Sequence, residues 1–235
     1  MGLERDVWER LHADPRYCPS YPQDVVVRWV FRTFPRSRSS EYRILDVGCG
    51  AGRHTVFLAR EGYRVSACDV STEGVHVTRK RLHQQNAQAA CTVCEADALD
   101  YPSESFDGIV CYGVLYYLPF DRYRLAVREL RRVLKPGGQA LVVTRTPEDS
   151  RCLSAERVGE HTFRLGSLPE GAPSNVEEAM TMTFLDHAAV RRSFADFESV
   201  SIDRITMTSG GGSFVDDDWI VCAARGPDTA SQLLR

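Results

Sequence analysis

Three aspartates in the sequence each follow a short apolar run. Asp46 ends "RILD", Asp69 ends "RVSACD", and Asp97 comes shortly after "CTVCEA". Each has an ordinary structural use, since Asp69 can cap a helix beginning near Ser71 and Asp97 can start a turn. A carboxylate can also accept hydrogen bonds from sugar hydroxyls or an amino group. Three acids at consecutive strand ends, where open parallel sheets bind ligands, favour the binding role.

A glycine-rich turn follows the first of these acids. Gly48, Gly50 and Gly52 let the backbone approach a ligand, and the next helix offers free amide donors at its start. A dinucleotide fingerprint requires a third glycine where this chain has Arg53, and the G-K-[ST] of a phosphate-binding P-loop is absent. Because Asp46 adds negative charge beside the turn, the ligand predicted here is not a simple phosphate.

The elements that position these residues alternate along the chain. This alternation predicts an α/β fold with a mostly parallel sheet and helices on both faces. A final pair of strands joined through "SGGGS" predicts a hairpin at one edge. Predicted strands occupy residues 42–47, 64–69, 91–95, 108–112, 139–144, 197–206 and 219–224, and predicted helices occupy 52–61, 71–86 and 120–134.

Length and composition predict one domain over residues 1–235. With 43% hydrophobic residues the chain can bury a substantial core, and its net charge of −3 predicts no general attraction to nucleic acid or anionic lipid. The charged start "MGLERDVWER" lacks the apolar core of a signal peptide, and no run approaches the ~18 apolar residues of a membrane span. We therefore expect a soluble, cytoplasmic protein with no membrane partner.

The eight cysteines are expected to be reduced and mostly packed in apolar runs. The single C-x-x-C pair, Cys91 and Cys94, falls in a predicted strand, where positions three apart point to opposite faces and cannot share a metal. We predict no metal site.

Five motifs between about residues 43 and 144 resemble those of the class I S-adenosylmethionine-dependent methyltransferases. They are "ILDVGCGAGRHT", "ACDVS", "EADALDYP", "FDGIVCYGVLYYL" and "ELRRVLKPGGQALVV". The resemblance implies a Rossmann-like, seven-stranded, mostly parallel sheet with an antiparallel last strand. It also implies S-adenosyl-L-methionine as cofactor and S-adenosyl-L-homocysteine as product.

The same resemblance assigns roles to individual residues. Asp69 would bind the ribose, Asp97 the adenine amino group, and Asp46 would support the network around the cofactor's ammonium. Tyr112 and Gly113 would border the reacting methyl group. The expected cofactor-binding residues are Asp46, Gly48, Cys49, Gly50, Gly52, His54, Asp69, Val70, Asp97, Ala98, Tyr112 and Tyr21.

Missing motifs indicate the acceptor class. The chain lacks the [DN]-P-P-[YF] of nucleobase amine methylation, the Pro-Cys of base-carbon methylation and the paired carboxylates of metal-dependent catechol methylation. The expected reaction is methyl transfer to an oxygen or nitrogen of a small molecule, mainly by proximity and orientation. His161, Tyr112 and Arg145 are the expected catalytic residues, with His161 as the candidate base.

Two segments outside the alternation are expected to form a lid over the acceptor. They are an N-terminal helical cap over residues 1–40, whose Tyr17 and Tyr21 are expected in the pocket wall, and an insertion at residues 145–183 after the fifth strand. The chain is expected to be a monomer or homodimer. Two alternatives stay open: a cofactor-binding or regulatory protein without turnover, and an NAD(P)-dependent oxidoreductase.

Overall fold

A seven-stranded sheet forms the centre of the protein, in the order β3-β2-β1-β4-β5-β10-β9. The computed structural model describes residues 2–167 and 177–227, with side chains from residue 5. The strands are β1 (Arg43–Val47), β2 (Arg64–Asp69), β3 (Ala89–Val93), β4 (Phe106–Tyr112), β5 (Leu134–Arg145), β6 (Glu156–Gly159), β7 (Thr162–Arg164), β8 (Thr181–Thr183), β9 (Ser199–Ser209) and β10 (Phe214–Ala224). The helices are α1 (Gly2–Ala13), α2 (Asp24–Thr33), α3 (Arg53–Arg60), α4 (Thr72–Gln84), α5 (Phe120–Val133), α6 (Ser150–Leu153) and α7 (His187–Ser193).

The sheet confirms the predicted fold class. Strands β1 to β5 pair in parallel, and β10 runs antiparallel to both β5 and β9. The chain order reverses between β1 and β4, so a crevice opens at their carboxyl ends. The predicted edge hairpin is confirmed as β9 and β10, which are joined through Gly210–Gly212.

Helices cover both faces of the sheet because each carries an apolar stripe. Helix α5 buries one stripe with Tyr123 and Leu130 in the core on one face. Helix α2 packs on the opposite face through Val26 and Val30, which join Ile44 and other strand residues in a second core. The N-terminal region therefore contributes to the core of the sheet as well as to the predicted cap.

One boundary prediction is wrong. The fifth strand is predicted at residues 139–144, but β5 already begins at Leu134. Leu134 pairs with Phe106, and the register shifts between Phe106 and Gly108. Gly137 N–H donates to the carbonyl of Arg225 at 2.9 Å, so this glycine forms part of the strand.

The insertion after β5 has more regular structure than its sequence suggests. Its described part contains α6 and a second antiparallel sheet of three strands, β6-β7-β8. The stretch "LPEGAPSN" lies outside the described residues. The prediction of one domain over residues 1–235 stays a prediction. Within the described parts of the chain, no helix has the length and apolar character needed to cross a membrane.

Gly108 is required where α2 meets the sheet. A Cβ at this position would lie 2.5 Å from Cζ of Phe34, which is only 4% exposed. We expect Gly108→Ala to lower the free energy of unfolding by about 1–3 kcal/mol, because the Phe34 ring must leave its packed position. In a Phe34→Ala background the same substitution should cost less than about 0.5 kcal/mol. Equal costs in the two backgrounds, measured by urea denaturation, would contradict this explanation.

Candidate active site

A cleft opens at the carboxyl ends of β1, β2 and β4. Its floor is formed by the turns after these strands, and its roof by α1 and the segment after it, through Trp8, His12 and Tyr17. Among the expected site residues, the cleft is lined by Gly48, Cys49, Gly50, His54, Asp69, Val70 and Tyr112. The structure thus brings together most of the predicted cofactor residues at the reversal in strand order.

The three glycines of the first turn face different parts of the protein. All three have positive φ, of 69° at Gly48, 49° at Gly50 and 84° at Gly52. Gly50 faces the cleft, where a Cβ would lie 3.1 Å from Nε2 of His12. Gly52 faces α4 instead, since a Cβ there would lie 2.7 Å from Oγ1 of Thr78. Gly52 therefore permits helix packing, and Gly48 and Gly50 border the cleft.

Asp69 joins two of the turns. Its carboxylate accepts the backbone N–H of Gly50 at 2.8 Å and that of Ser71 at 2.9 Å. Burial raises the pKa of Asp69, while the nearby His12 and the two backbone hydrogen bonds oppose the rise. Ser71, whose side chain accepts from Gly74 N–H, is the residue that caps α4. Asp69 lines the cleft, and its remaining lone pairs are able to accept hydroxyl groups.

Asp46 acts from beneath the turn. It is 1% exposed and accepts a hydrogen bond of 2.6 Å from Oγ1 of Thr55 in the first turns of α3. Burial raises the pKa of Asp46 to about 7, against the opposing effects of Thr55 and Arg53. Val47, not Asp46, lines the cleft. Any effect of Asp46 on a bound ligand is therefore transmitted through the turn and α3.

Asp97 is held by an arginine that the sequence analysis missed. Arg122 Nε donates to Asp97 at 2.5 Å, and the same guanidinium also contacts Glu95. Arg122, Glu95 and Ala96 line the cleft, whereas Asp97 and Ala98 stand behind them. The only sequence signal for Arg122 is its place in the first turn of α5, at the edge where the acids gather.

The end of β4 forms the opposite wall. Tyr112 lines the cleft, the ring of His54 lies 5.4 Å from its ring, and the guanidinium of Arg53 lies 5.1 Å from its centroid. Burial, together with the charge of Arg53, lowers the pKa of His54 to about 3. Nε2 of His54 accepts Gln23 N–H at 3.3 Å, so this histidine is neutral and helps to place the start of α2.

Arg145, one of the expected catalytic residues, lies outside the lining. Its guanidinium pairs with Asp149 at 2.7 Å and with Asp216 at 3.1 Å, and it stacks 4.9 Å from the ring of Tyr116. Tyr116 is buried beside Tyr117, which does line the cleft. Arg145 is thus placed to fix the wall residues and not to touch a ligand.

Two further expectations have no support in this geometry. His161 sits in the turn between β6 and β7 with φ of 49°, packs 4.8 Å from the ring of Phe120, and does not line the cleft. Tyr21 is 86% exposed and points away from the cleft, which the N-terminal region reaches through Tyr17 instead. The hairpin of the insertion therefore directs His161 toward α5, and the described insertion supplies no lining residue.

Helix α1 is fastened over the cleft by a carboxylate. Glu9 accepts hydrogen bonds of 2.8 Å from Ser71 Oγ and from the backbone N–H groups of Thr72 and Glu73 at the start of α4. Burial alone would raise the pKa of Glu9, but these hydrogen bonds lower it to about 2. Trp8 then packs edge-on against Tyr117 at 4.7 Å. The sequence analysis predicted a cap here but not this contact.

The described residues contain no group of three or more His, Cys, Asp or Glu arranged to hold a metal ion. All eight cysteines are free. Cys91 is buried against α4, and Cys94 packs on the other core.

The fold and cleft define an open α/β protein that binds its ligand at the strand-order reversal. Residues 44–138 match the family model for a methyltransferase domain. The tRNA N(3)-cytidine methyltransferase METTL2 of Gallus gallus is 30% identical over 141 residues, covering 56% of this chain and 38% of that protein. The methyltransferase GfsG of Streptomyces halstedii is 36% identical over 107 residues, covering 44% of this chain and 38% of that protein. The chain spans between 38% and 51% of the length of such curated relatives.

Solved structures extend the likeness to nearly the whole chain. A structure from work on the conversion of a disulfide bond into a thioacetal group during echinomycin biosynthesis has a TM-score of 0.70 at 21% identity, covering 98% of this chain and 97% of that one. The 1,6-didemethyltoxoflavin-N1-methyltransferase of Burkholderia thailandensis, solved with its acceptor and S-adenosylhomocysteine, has a TM-score of 0.61 at 15% identity, covering 95% and 88%. Residues 44–138 thus match a methyltransferase domain, and the chain shares its fold with these solved structures.

The burial of Asp46 predicts a pH-dependent stability. Its folded pKa of about 7 lies above the ordinary value of 3.8, so its stabilising contribution is complete below pH ~4 and is lost as the pH rises to ~7. Asp46→Asn removes this loss and keeps an acceptor for Thr55. At about 1.4 kcal/mol per pKa unit, its unfolding free energy relative to wild type should rise by up to about 4 kcal/mol between pH 4 and pH 8.

Urea denaturation across this pH range checks the prediction. Asp196→Asn, at an exposed position, is the control and should keep the wild-type pH profile. A pH profile for Asp46→Asn that runs parallel to wild type would show that Asp46 does not carry the effect.

Proposed function

We propose that the protein transfers a methyl group from S-adenosyl-L-methionine to an oxygen or nitrogen of a small-molecule acceptor. The observation that carries the proposal is the position of Asp69, which lines the cleft between the glycine turn and the start of α4. The bound cofactor would supply an electrophilic methyl group on a sulfonium. The wall and roof residues would bind and orient the cofactor and the acceptor, and they would exclude water from the site.

The cleft lining offers groups that would bind each part of this cofactor. Asp69 offers carboxylate oxygens for the ribose hydroxyls, and the groove past Glu95, Ala96 and Arg122 would take the adenine. Gly48 and Gly50 line the cleft, and the methionine part would lie along this turn. Nδ1 of His12 is buried and has no hydrogen-bond partner among the described residues. This atom faces Gly74 at the start of α4, where a Cβ would lie 2.7 Å from it, while Nε2 is the ring nitrogen nearer to Gly50.

The acceptor would approach from the side of Tyr112. This residue keeps its proposed role at the reacting group, and Arg145 takes a positioning role through its stacking on Tyr116. His54 is bonded to Gln23 and neutral, so it is a poor general base. Rate enhancement would come mainly from alignment of the acceptor with the methyl group.

Three other expectations remain predictions. They are the absence of a nucleic-acid partner, the cytoplasmic location and the monomeric or dimeric state. Catalysis by His161 would require a movement of the β6–β7 turn toward the cleft.

Binding of S-adenosylhomocysteine is the first test. Calorimetry should show S-adenosylhomocysteine binding to the wild-type protein at least roughly tenfold more tightly than NAD, because the cleft offers carboxylates and no third fingerprint glycine. S-adenosylhomocysteine released from S-adenosylmethionine in the presence of small phenol, amine and acid acceptors separates an enzyme from a binding protein. Tighter binding of NAD would contradict the proposal.

The ribose role of Asp69 has its own test. Losing a hydrogen bond to a charged group costs ~1.5–3 kcal/mol, so Asp69→Ala should weaken the binding of S-adenosylhomocysteine by at least roughly tenfold. An analogue without the ribose 2′- and 3′-hydroxyls should lose less affinity in the variant than S-adenosylhomocysteine does, because only the loss of the hydrogen bonds from Gly50 and Ser71 then acts on it. If Asp69→Ala only lowers thermal stability and leaves both affinities within about twofold, the ribose role is wrong.

A further inference from the structure

Three arginines line the cleft, and they differ in how they are neutralised. Arg122 is paired with Asp97 and Glu95, and Arg5 contacts Glu9 at 3.6 Å and Thr72 at 3.0 Å. Arg53 makes neither a hydrogen bond nor an ion pair with any residue in the described part of the chain. Its guanidinium carbon lies over the ring of Tyr112, 5.1 Å from the ring centroid.

Arg53 is nonetheless partly buried. It is the first residue of α3, directly after the left-handed Gly52, so the chain direction aims it toward the end of β4. Burial lowers the pKa of Arg53, with the nearby ring of Tyr112 and Asp46 opposing the effect. An arginine keeps its charge in such a site. A partly desolvated cation without a counter-ion is unfavourable unless a ligand supplies the negative charge.

No acid among the described residues forms an ion pair with Arg53. Asp46 is committed to Thr55, and at neutral pH it is only partly ionised because burial raises its pKa to about 7. Among the acids on the far side of Tyr112, Asp149 and Asp216 pair with Arg145 and also with Arg151. Asp218, on the same side, lies 3.6 Å from the guanidinium of Arg145. The positive charge of Arg53 therefore faces the cleft uncompensated within the described residues.

We propose that Arg53 binds a carboxylate carried by the methyl acceptor, which makes the natural acceptor an organic acid. This inference rests on the proposed methyl transfer and assigns the substrate class. A guanidinium binds a carboxylate through two parallel hydrogen bonds, which fixes orientation as well as affinity. Bound beside Tyr112, the acid would be held at the wall where the acceptor enters.

The cofactor also carries a carboxylate, on its methionine part. Two features separate it from the group that Arg53 binds. The glycine turn beneath the methionine part faces His12 of α1, at Gly50. Arg53 faces Tyr112 on the other wall. The acceptor is therefore the favoured source of the anion, and the experiment distinguishes the two.

The test uses protein saturated with S-adenosylhomocysteine and three matched pairs of acid and amide. They are benzoate and benzamide, 4-hydroxybenzoate and 4-hydroxybenzamide, and anthranilate and anthranilamide. At least one acid should bind wild type roughly tenfold or more tightly than its amide, the range expected of hydrogen bonds to charged groups. Arg53→Met keeps the apolar stem and should bring that ratio close to one, while Arg53→Lys should retain part of it.

Arg60→Met is the matched control, because Arg60 lies at the exposed end of the same helix and should leave the ratio unchanged. The proposal is overturned if no acid in the panel exceeds its amide in wild type, or if the preference survives in Arg53→Met.

A second arm identifies the source of the carboxylate. Arg53→Met should bind both S-adenosylhomocysteine and 5′-methylthioadenosine, which lacks the amino-acid part, within about twofold of wild type. Loss of affinity for S-adenosylhomocysteine alone would assign Arg53 to the cofactor and overturn the proposal. Failure of the wild-type protein to bind S-adenosylhomocysteine would instead overturn the proposed methyl transfer itself.

Discussion

The cleft depends on one carboxylate that holds two turns together. Asp69 accepts backbone N–H groups from Gly50 and Ser71, and these belong to the turn after β1 and the turn after β2. Two turns of irregular backbone need such partners when they are buried, because an unpaired amide there is costly. With Asp69 at the centre, α3 and α4 begin at fixed positions on either side of the cleft. The group that organises the turns is also the one offered to the ligand.

The roof is attached to the same place. Glu9 accepts the backbone N–H groups at the start of α4 that lie one and two residues beyond the amide that Asp69 accepts. Helix α1 therefore lies over the glycine turn and brings His12 beside Gly50. The turn proposed to hold the cofactor and the N-terminal helix therefore meet at this short stretch of backbone. The opposite wall, with Arg53 and Tyr112, belongs to α3 and β4.

Much of this arrangement is visible in the sequence because local patterns determine it. Apolar runs and helix caps specify the alternation, and the glycines with Asp69 mark the turn after β1 and the strand end that follows. The paired residues at the adenine end are less visible. Arg122 selects Asp97 and Glu95 across 25 and 27 positions of the chain, and no local pattern specifies that choice.

The same limit explains the expectations that lack support. Glu9 reaches α4 across more than 60 positions, so the attachment of α1 follows from tertiary packing alone. His161 was chosen for its chemistry, but a tight hairpin turn sets its direction toward Phe120. Tyr21 was chosen for its place beside a helix start, and the chain leaves it exposed while Tyr17 takes the position in the cleft.

A crystal structure of the protein with S-adenosylhomocysteine would test the central role of Asp69 most directly. The ribose hydroxyl oxygens should lie about 2.6–3.2 Å from the Asp69 carboxylate, with its hydrogen bonds from Gly50 and Ser71 intact and the sulfur on the side of Tyr112. A ligand bound elsewhere, or bound in the cleft with its ribose hydroxyls beyond hydrogen-bond distance of Asp69, would contradict that role.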